Sequence, residues 1–157
     1  MMNIDNIRKE RISYAFLRVI FKFFEIDRKT RFYGTDTPLF YAEIHLIKAI
    51  KENEGIHITG LAQRLGVTKG AVSQMLFKLE KKGFIIKEKD ATNQSRFLLK
   101  LTPKGEIAHE NHMRLHREFD NLVNGVLIQE EDEQVKFLKR FLIAVDQKLG
   151  ALEEEAD

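Results

Sequence analysis

One stretch, residues 56–105, constrains the fold of this chain more than any other. It reads IHITGLAQRLGVTKGAVSQMLFKLEKKGFIIKEKDATNQSRFLLKLTPKG. Thr59 can cap a short helix that ends at Gly66, and Thr68 can cap a second helix that ends at Gly83. Two short helices joined by one tight turn therefore lie at the centre of the chain.

Alternating apolar residues after this helix pair predict a hairpin of two strands, over residues 84–89 and 95–101, joined by a polar loop. Apolar positions spaced by three and four residues predict helices on both sides of this central stretch. These flanking helices are predicted over residues 5–31, 39–52, 103–128 and 130–152. The two prolines, Pro38 and Pro103, each stand just before one of these helical patterns.

The last predicted helix carries a heptad pattern. Its apolar residues alternate between spacings of three and four: Val135, Leu138, Leu142, Val145, Leu149 and Leu152. Such a seam requires a partner helix. Packing inside one chain would satisfy it, but the central part is too small to cover all the apolar helix surface. We therefore expect a homodimer held together by the two ends of the chain.

These patterns predict a mainly α fold with a small β-hairpin wing. We expect a single domain over residues 1–157. Within it, residues 39–104 form a winged helix-turn-helix lobe, and residues 1–31 and 105–152 form a helical dimerisation region. The fold class is a winged helix-turn-helix flanked by N- and C-terminal dimerisation helices.

Charge is distributed unevenly along the chain. The segment from Arg64 to Lys104 has ten Lys/Arg and three Asp/Glu, a net charge of +7, whereas the whole chain carries +2. A basic segment within an otherwise acidic chain indicates a polyanionic partner for one face. This charge and the helix-turn-helix pattern together predict binding to double-stranded DNA.

Other classes are disfavoured by composition. The chain has no cysteine, which excludes disulfides and thiolate chemistry. Its N-terminus lacks the apolar run of a signal peptide, and no window approaches the roughly 20 apolar residues of a membrane span. No phosphate-binding loop, HExxH motif or supported catalytic triad is present. We expect a cytoplasmic protein that has no membrane partner and is not an enzyme.

The second central helix, over residues 69–82, is the predicted recognition helix. Its apolar stripe should face the core, and its polar side should face DNA. Gln74 can pair with adenine and Ser73 with several base edges, while Thr68, Lys69 and Lys78 are placed for phosphates. The complete predicted set is Thr68, Lys69, Gly70, Ser73, Gln74, Lys78 and Arg96. The alternative is a winged-helix module that binds proteins without sequence-specific DNA binding, for which Phe77 is the candidate contact.

The motifs LAQRLGVTKGAVSQMLFKLEKKGFI, then Asp90, then LTPKG at 101–105 resemble the MarR family of winged helix-turn-helix regulators. The resemblance covers nearly the whole chain. It implies a homodimeric repressor that releases a pseudo-palindromic operator when an effector binds. The chain departs from the family in two places: Arg96 is the only arginine near the wing tip, and Gln74 stands where arginine is common. The resemblance therefore implies a weaker wing contact through Arg96 and an unusual operator preference.

The histidines suggest a metal site. His112 and His116 lie four residues apart on one predicted helix, so both project from one face. With His45 and Asp27 they would make a tetrahedral set of three nitrogens and one oxygen, suited to zinc or another transition metal. His57 and His109 are expected to be solvated.

This spacing is similar to that of the zinc-sensing branch of the MarR family. The resemblance implies that Asp27, His45, His112 and His116 are zinc ligands, with aspartate at Asp27 where that branch has glutamate. No cofactor is expected to be required for folding. Two alternatives stay open: the histidines are structural, or a cleft lined by the early phenylalanines binds a small apolar or phenolic effector.

Overall fold

The computed structural model describes residues 11–53, 55–89 and 97–154. The chain divides into two compact units, Met1–Met113 and Arg114–Asp157. The described elements are α1 (Ile12–Asp27), α2 (Tyr41–Lys51), α3 (Ile58–Leu65), α4 (Lys69–Lys81), β1 (Ile85–Lys89), β2 (Phe97–Leu101), α5 (Pro103–Leu127) and α6 (Asp132–Glu154). The predicted fold class, mainly helical with one antiparallel hairpin, is confirmed.

The first unit is built around an apolar core to which α2, α3, α4 and the hairpin all contribute. Its fully buried members are Leu39, Ile44, Leu46, Ile47, Leu61, Val72, Leu76, Leu79, Phe84, Leu99 and Ala108. The three from α4 follow the helical spacing that the sequence predicted for its apolar stripe. This stripe determines which side of α4 faces outward.

Local sequence fixes both ends of the turn that leads into α4. Thr68 has an extended backbone, and its hydroxyl accepts a hydrogen bond from the Ala71 N–H at 3.2 Å. The turn before it is made by Gly66, whose φ of 63° is readily adopted only by glycine. The chain therefore reverses between α3 and α4 within three residues.

The hairpin pairs β1 with β2 in antiparallel register, with Lys87 opposite Leu99. Gly105 then allows α5 to begin against the hairpin, because a Cβ at this position would collide with the carbonyl oxygen of Phe84. Thr102 caps the start of α5: its hydroxyl accepts from the Gly105 N–H at 3.1 Å and donates to the Gly83 carbonyl. The LTPKG motif is thus a helix start in close contact with the wing.

Two sequence-based expectations about the helix ends differ from the structure. The helix expected over 5–31 is seen as Ile12–Asp27; residues 1–10 lie outside the described part. The expected residues 28–31 are not helical, because Arg31 forms an isolated antiparallel bridge with Leu39. Thr59 is not a cap: His57 is the N-cap residue of α3, and Thr59 lies inside the helix.

In the second unit, α6 carries the predicted heptad seam. Leu149 and Leu152 are 58% and 61% exposed, and Leu142 is 39% exposed. The seam therefore presents apolar surface to solvent in the single chain. Among the described residues, no helix combines the length and apolarity needed to cross a bilayer.

The Thr68 cap gives a direct test of the fold. Thr68→Ala removes the acceptor for the Ala71 N–H and should lower the free energy of unfolding by about 1 kcal/mol. Thr59→Ala is the matched control and should be close to neutral, because Thr59 lies inside a helix and alanine has the higher helix propensity. Urea denaturation of both variants provides the measurement. Equal losses would contradict the assignment of the two threonines.

Candidate functional site

The outward face of α4 contains six of the seven predicted DNA contacts. Thr68, Lys69, Gly70, Ser73, Gln74 and Lys78 are all exposed, while Val72, Leu76 and Leu79 on the opposite side are buried. A Cβ at Gly70 would meet only the Thr68 hydroxyl, at 3.9 Å, so the first turn of the helix is open to a close approach. The seventh residue, Arg96, lies outside the described residues, as does the loop 90–96.

Ion pairs divide the basic residues of the central segment into two groups. Five of them have an acidic partner within 4.0 Å: Arg64 with Glu52, Lys82 with Glu43, Lys87 with Glu80, Lys100 with Glu88 and Lys104 with Asp36. By contrast, Lys69, Lys78 and Lys81 of α4 and Lys89 of β1 have no ion pair or side-chain hydrogen bond to any described residue. Uncompensated positive charge is therefore concentrated on α4.

The Lys82–Glu43 pair holds α4 to α2. Lys82 Nζ donates to both carboxylate oxygens of Glu43, at 2.8 and 2.7 Å, and also to the Pro38 carbonyl at 3.1 Å. Glu43 is buried and also accepts from the Phe40 N–H. Because breaking a buried pair leaves an uncompensated charge, this contact fixes the C-terminal end of α4.

A second cluster lies where α1, α2 and α5 meet within the first unit. Asp27, the last residue of α1, is 3% exposed, and His112 of α5 is fully buried. Asp27 Oδ2 lies 3.2 Å from His45 Nε2, and Asp27 Oδ1 lies 3.5 Å from His112 Nε2. One ligand atom from each of these three residues lies within 4.8 Å of the other two. Three of the four predicted metal ligands are thus brought together.

The fourth predicted ligand, His116, is not a member of this group. It follows His112 by four residues on α5 and belongs to the second unit. The three-residue group is complete within the first unit.

Two tyrosines that the sequence did not single out line the cluster. The Tyr33 ring meets His112 edge-on at 5.7 Å between centroids, and the Tyr41 ring lies 4.2 Å from that of His45. Tyr33 has a φ of 46°, a left-handed conformation that is uncommon for a non-glycine residue. No periodic pattern marks Tyr33, because it lies in the loop between α1 and α2.

The cluster holds buried polar atoms that lack hydrogen bonds. Asp27 Oδ1 and the Tyr33 hydroxyl have none to any described residue. Burial raises the pKa of Tyr33, and the negative charge of Asp27 raises it further. Burial also raises the pKa of Tyr41, with the same contribution from Asp27. An acceptor oxygen and a neutral hydroxyl therefore lie ready for an additional partner.

The prediction that His57 and His109 are solvated is wrong for His109. Its Nε2 is buried without a hydrogen bond to any described residue, and desolvation lowers the pKa of its ring below the usual value. His57 is half-buried, with Nδ1 3.4 Å from the Phe97 carbonyl oxygen. Neither histidine is fully exposed.

Comparison with known proteins agrees with this geometry. The model of the MarR family matches residues 39–94, which include the helix-turn-helix and most of the wing. The transcriptional regulator SarZ of Staphylococcus haemolyticus is 30% identical over 113 residues, which cover 65% of this chain and 77% of SarZ. The chain belongs to the MarR family. The chain spans 77% of the length of SarZ and 62% of the length of another curated relative.

Two solved structures from other bacteria have a similar fold. FabT of Streptococcus pneumoniae, solved in complex with DNA, is 24% identical with a TM-score of 0.68 and covers 96% of this chain and 99% of its own. ZitR of Lactococcus lactis, a zinc-responsive MarR family member, is 19% identical with a TM-score of 0.68. The match covers 87% of this chain and 95% of the ZitR chain. These likenesses establish the shared fold. The curated MarR relatives are named as transcriptional regulators, in agreement with the prediction that this chain is not an enzyme.

Proposed function

We propose that this MarR family chain is a homodimeric repressor that binds a pseudo-palindromic operator in double-stranded DNA. The observation that carries the proposal is the outward face of α4, where lysines without an ion pair to any described residue flank polar side chains able to pair with bases. Lys69 and Lys78 bind phosphates, and Ser73 and Gln74 contact base edges in the major groove. Arg96, which lies outside the described residues, is the residue proposed for the neighbouring minor groove.

Dimerisation is proposed from the apolar surfaces left open on the terminal helices. The α6 seam is one of them. Another is an open apolar face on α1, where Tyr14, Leu17, Phe21 and Ile26 are each 44% to 64% exposed. Exposed apolar area of this kind marks protein interfaces. A two-fold dimer presents two copies of α4, which would address half-sites one helical turn of DNA apart.

Removing a phosphate-binding lysine should weaken binding to every duplex. We expect Lys69→Ala and Lys78→Ala each to reduce the slope of log affinity against log salt by about 0.9 per protomer. Lys136→Ala on α6, already paired with Glu133 at 2.9 Å, removes the same charge away from α4 and should leave the slope unchanged. Fluorescence anisotropy over a salt series gives the slopes. Unchanged slopes for both α4 variants would refute the phosphate roles.

Gln74 should govern sequence preference. Gln74→Ala removes a side chain able to form two hydrogen bonds with adenine, so it should cost about 1–3 kcal/mol at one position of the operator. Non-specific affinity should change much less. Selection from a randomised oligonucleotide pool compares the two proteins, with Lys78→Ala as the contrast, since it should keep the wild-type preference. An unaltered profile for Gln74→Ala would exclude Gln74 from base recognition.

We further propose that operator affinity responds to zinc or another transition metal at Asp27, His45 and His112. The residues fit such an ion: the donor set of two imidazoles and a carboxylate suits zinc. One ligand atom from each of the three residues lies within 4.8 Å of the other two, and the two imidazoles approach different oxygens of the Asp27 carboxylate. Asp27 Oδ1 is a buried acceptor without a hydrogen bond to any described residue, which metal coordination would satisfy. His116, the fourth ligand predicted from the sequence, belongs to the second unit and is not part of this proposed set.

A bound divalent cation would supply charge neutralisation and a cross-link among the donor atoms. The three residues themselves would then hold the end of α1 and the first part of α5 against α2. Such a contact favours the DNA-binding conformation only to the extent that the ligand atoms are closer together in it. An alternative effector is a small apolar or phenolic molecule bound in a cleft lined by the early phenylalanines.

Metal binding can be separated from folding with substitutions that conserve volume. Asp27→Asn and His45→Gln should each weaken zinc binding by more than about 100-fold, since even outer-sphere groups contribute 10- to 100-fold. His112→Gln should abolish any zinc effect on operator binding. His57→Gln is the control. Competition with a chromogenic chelator measures affinity, and equal affinity in wild type and His45→Gln would exclude this site and favour the small-molecule effector.

A further inference from the structure

Phe77 is exposed on the face of α4 that also carries the proposed DNA contacts. It lies one residue after the buried Leu76, yet 62% of its surface is accessible, so it contributes little to the core. A single exposed apolar side chain is common on protein surfaces, so the groups around Phe77 decide whether it marks a contact.

The neighbours of Phe77 define the chemistry of that contact. Phe77 lines one open groove with Ser73, Gln74, Lys78 and Lys81. Two of these neighbours are lysines with no ion pair to any described residue, and none is acidic. An apolar protein or lipid partner would have to bury these lysines. A partner with phosphates around an apolar group satisfies both features at once.

Spacing places Phe77 among the base-contacting positions. Gly70, Ser73, Gln74 and Phe77 succeed one another by three, one and three residues, so they lie on one helical face. Gly70 and Phe77 are seven residues apart, about 10 Å along the helix axis. With base pairs about 3.4 Å apart, Phe77 meets a base roughly three pairs from the one nearest Gly70.

Phenylalanine has no hydrogen-bonding group, so only one major-groove feature can select it. That feature is the C5-methyl group of thymine, since the other base edges there present polar donors and acceptors. We propose that Phe77 is a specificity-determining residue that packs on a thymine methyl in each operator half-site. The inference rests on the proposed function, because it requires α4 to lie in the major groove.

Removing single methyl groups from the DNA tests the inference. The probe is a duplex selected by the wild-type protein from a randomised pool, with each thymine replaced in turn by deoxyuridine. Losing one buried methyl should weaken wild-type binding by about fourfold per half-site at one symmetric thymine position. Phe77→Ala should bind the parent duplex more weakly and show no further loss on that substitution.

Two variants serve as controls. Phe32→Ala removes a phenylalanine of similar exposure, 56%, from the loop before α2 and should keep the full deoxyuridine effect. Phe77→Gln repeats the experiment with a side chain of substantial size but without the apolar ring, should Phe77→Ala lower the melting temperature.

The outcomes distinguish the inference from the function on which it rests. Failure to select any sequence would overturn the proposed DNA-binding function itself. A selected operator at which wild type tolerates every deoxyuridine would overturn only the thymine contact. Persistence of the same fourfold effect in Phe77→Ala would also overturn it and would leave Phe77 as a candidate protein contact.

Discussion

Burial of one side of α4 is the constraint on which the rest of this structure depends. Val72, Leu76 and Leu79 are completely enclosed in the core, and their spacing leaves α4 only one rotation about its axis. Every side chain that α4 offers to DNA is therefore determined by what the core accepts. Phe77 is apolar yet excluded from the core by this rotation. Its exposure is a consequence of packing that a composition count would not reveal.

The net charge of the central segment overstates how many of its basic side chains are open to a DNA phosphate. Half of its ten basic residues neutralise acidic partners within the first unit, and Lys82 is needed to neutralise the buried carboxylate of Glu43. A lysine held in this way is a poor phosphate ligand, because binding DNA would leave Glu43 uncompensated. Under the proposed function, the three α4 lysines without an ion pair to any described residue describe the interface more closely than the +7 of the segment does.

The sequence predicted those features of the fold that depend on interactions within a few residues. Thr68 as a cap and Gly66 as a turn follow from hydrogen bonding and backbone sterics within a few residues, and the structure has both. Thr59 failed as a cap because α3 already begins at Ile58, with His57 as its N-cap residue. Helix periodicity also predicted a C-terminal end for α1 that is too late. The bridge between Arg31 and Leu39 is a longer-range interaction, which periodicity does not register.

The candidate metal site was predictable only in part for the same reason. The spacing of His112 and His116 is visible in a helical pattern. His45 and Asp27 were added from other predicted helices, and the family resemblance implied the same set. Tyr33 and Tyr41 were not anticipated, because their contacts depend on how the loop after α1 folds back. His109 was misjudged because burial of its Nε2 depends on tertiary packing and not on its polar sequence neighbours.

Helix α2 is the element through which an effector at the histidine cluster would act on the recognition helix. His45 and Glu43 are two residues apart, so their side chains leave α2 about 200° apart, on nearly opposite sides. His45 faces Asp27, and Glu43 holds Lys82 directly after α4. A rigid helix clamped on both sides cannot shift at one contact without straining the other. Under the proposed function, these two contacts of α2 are enough to couple effector binding at the cluster to the position of α4. The strength of this coupling cannot exceed the difference in the free energy of effector binding between the two conformations.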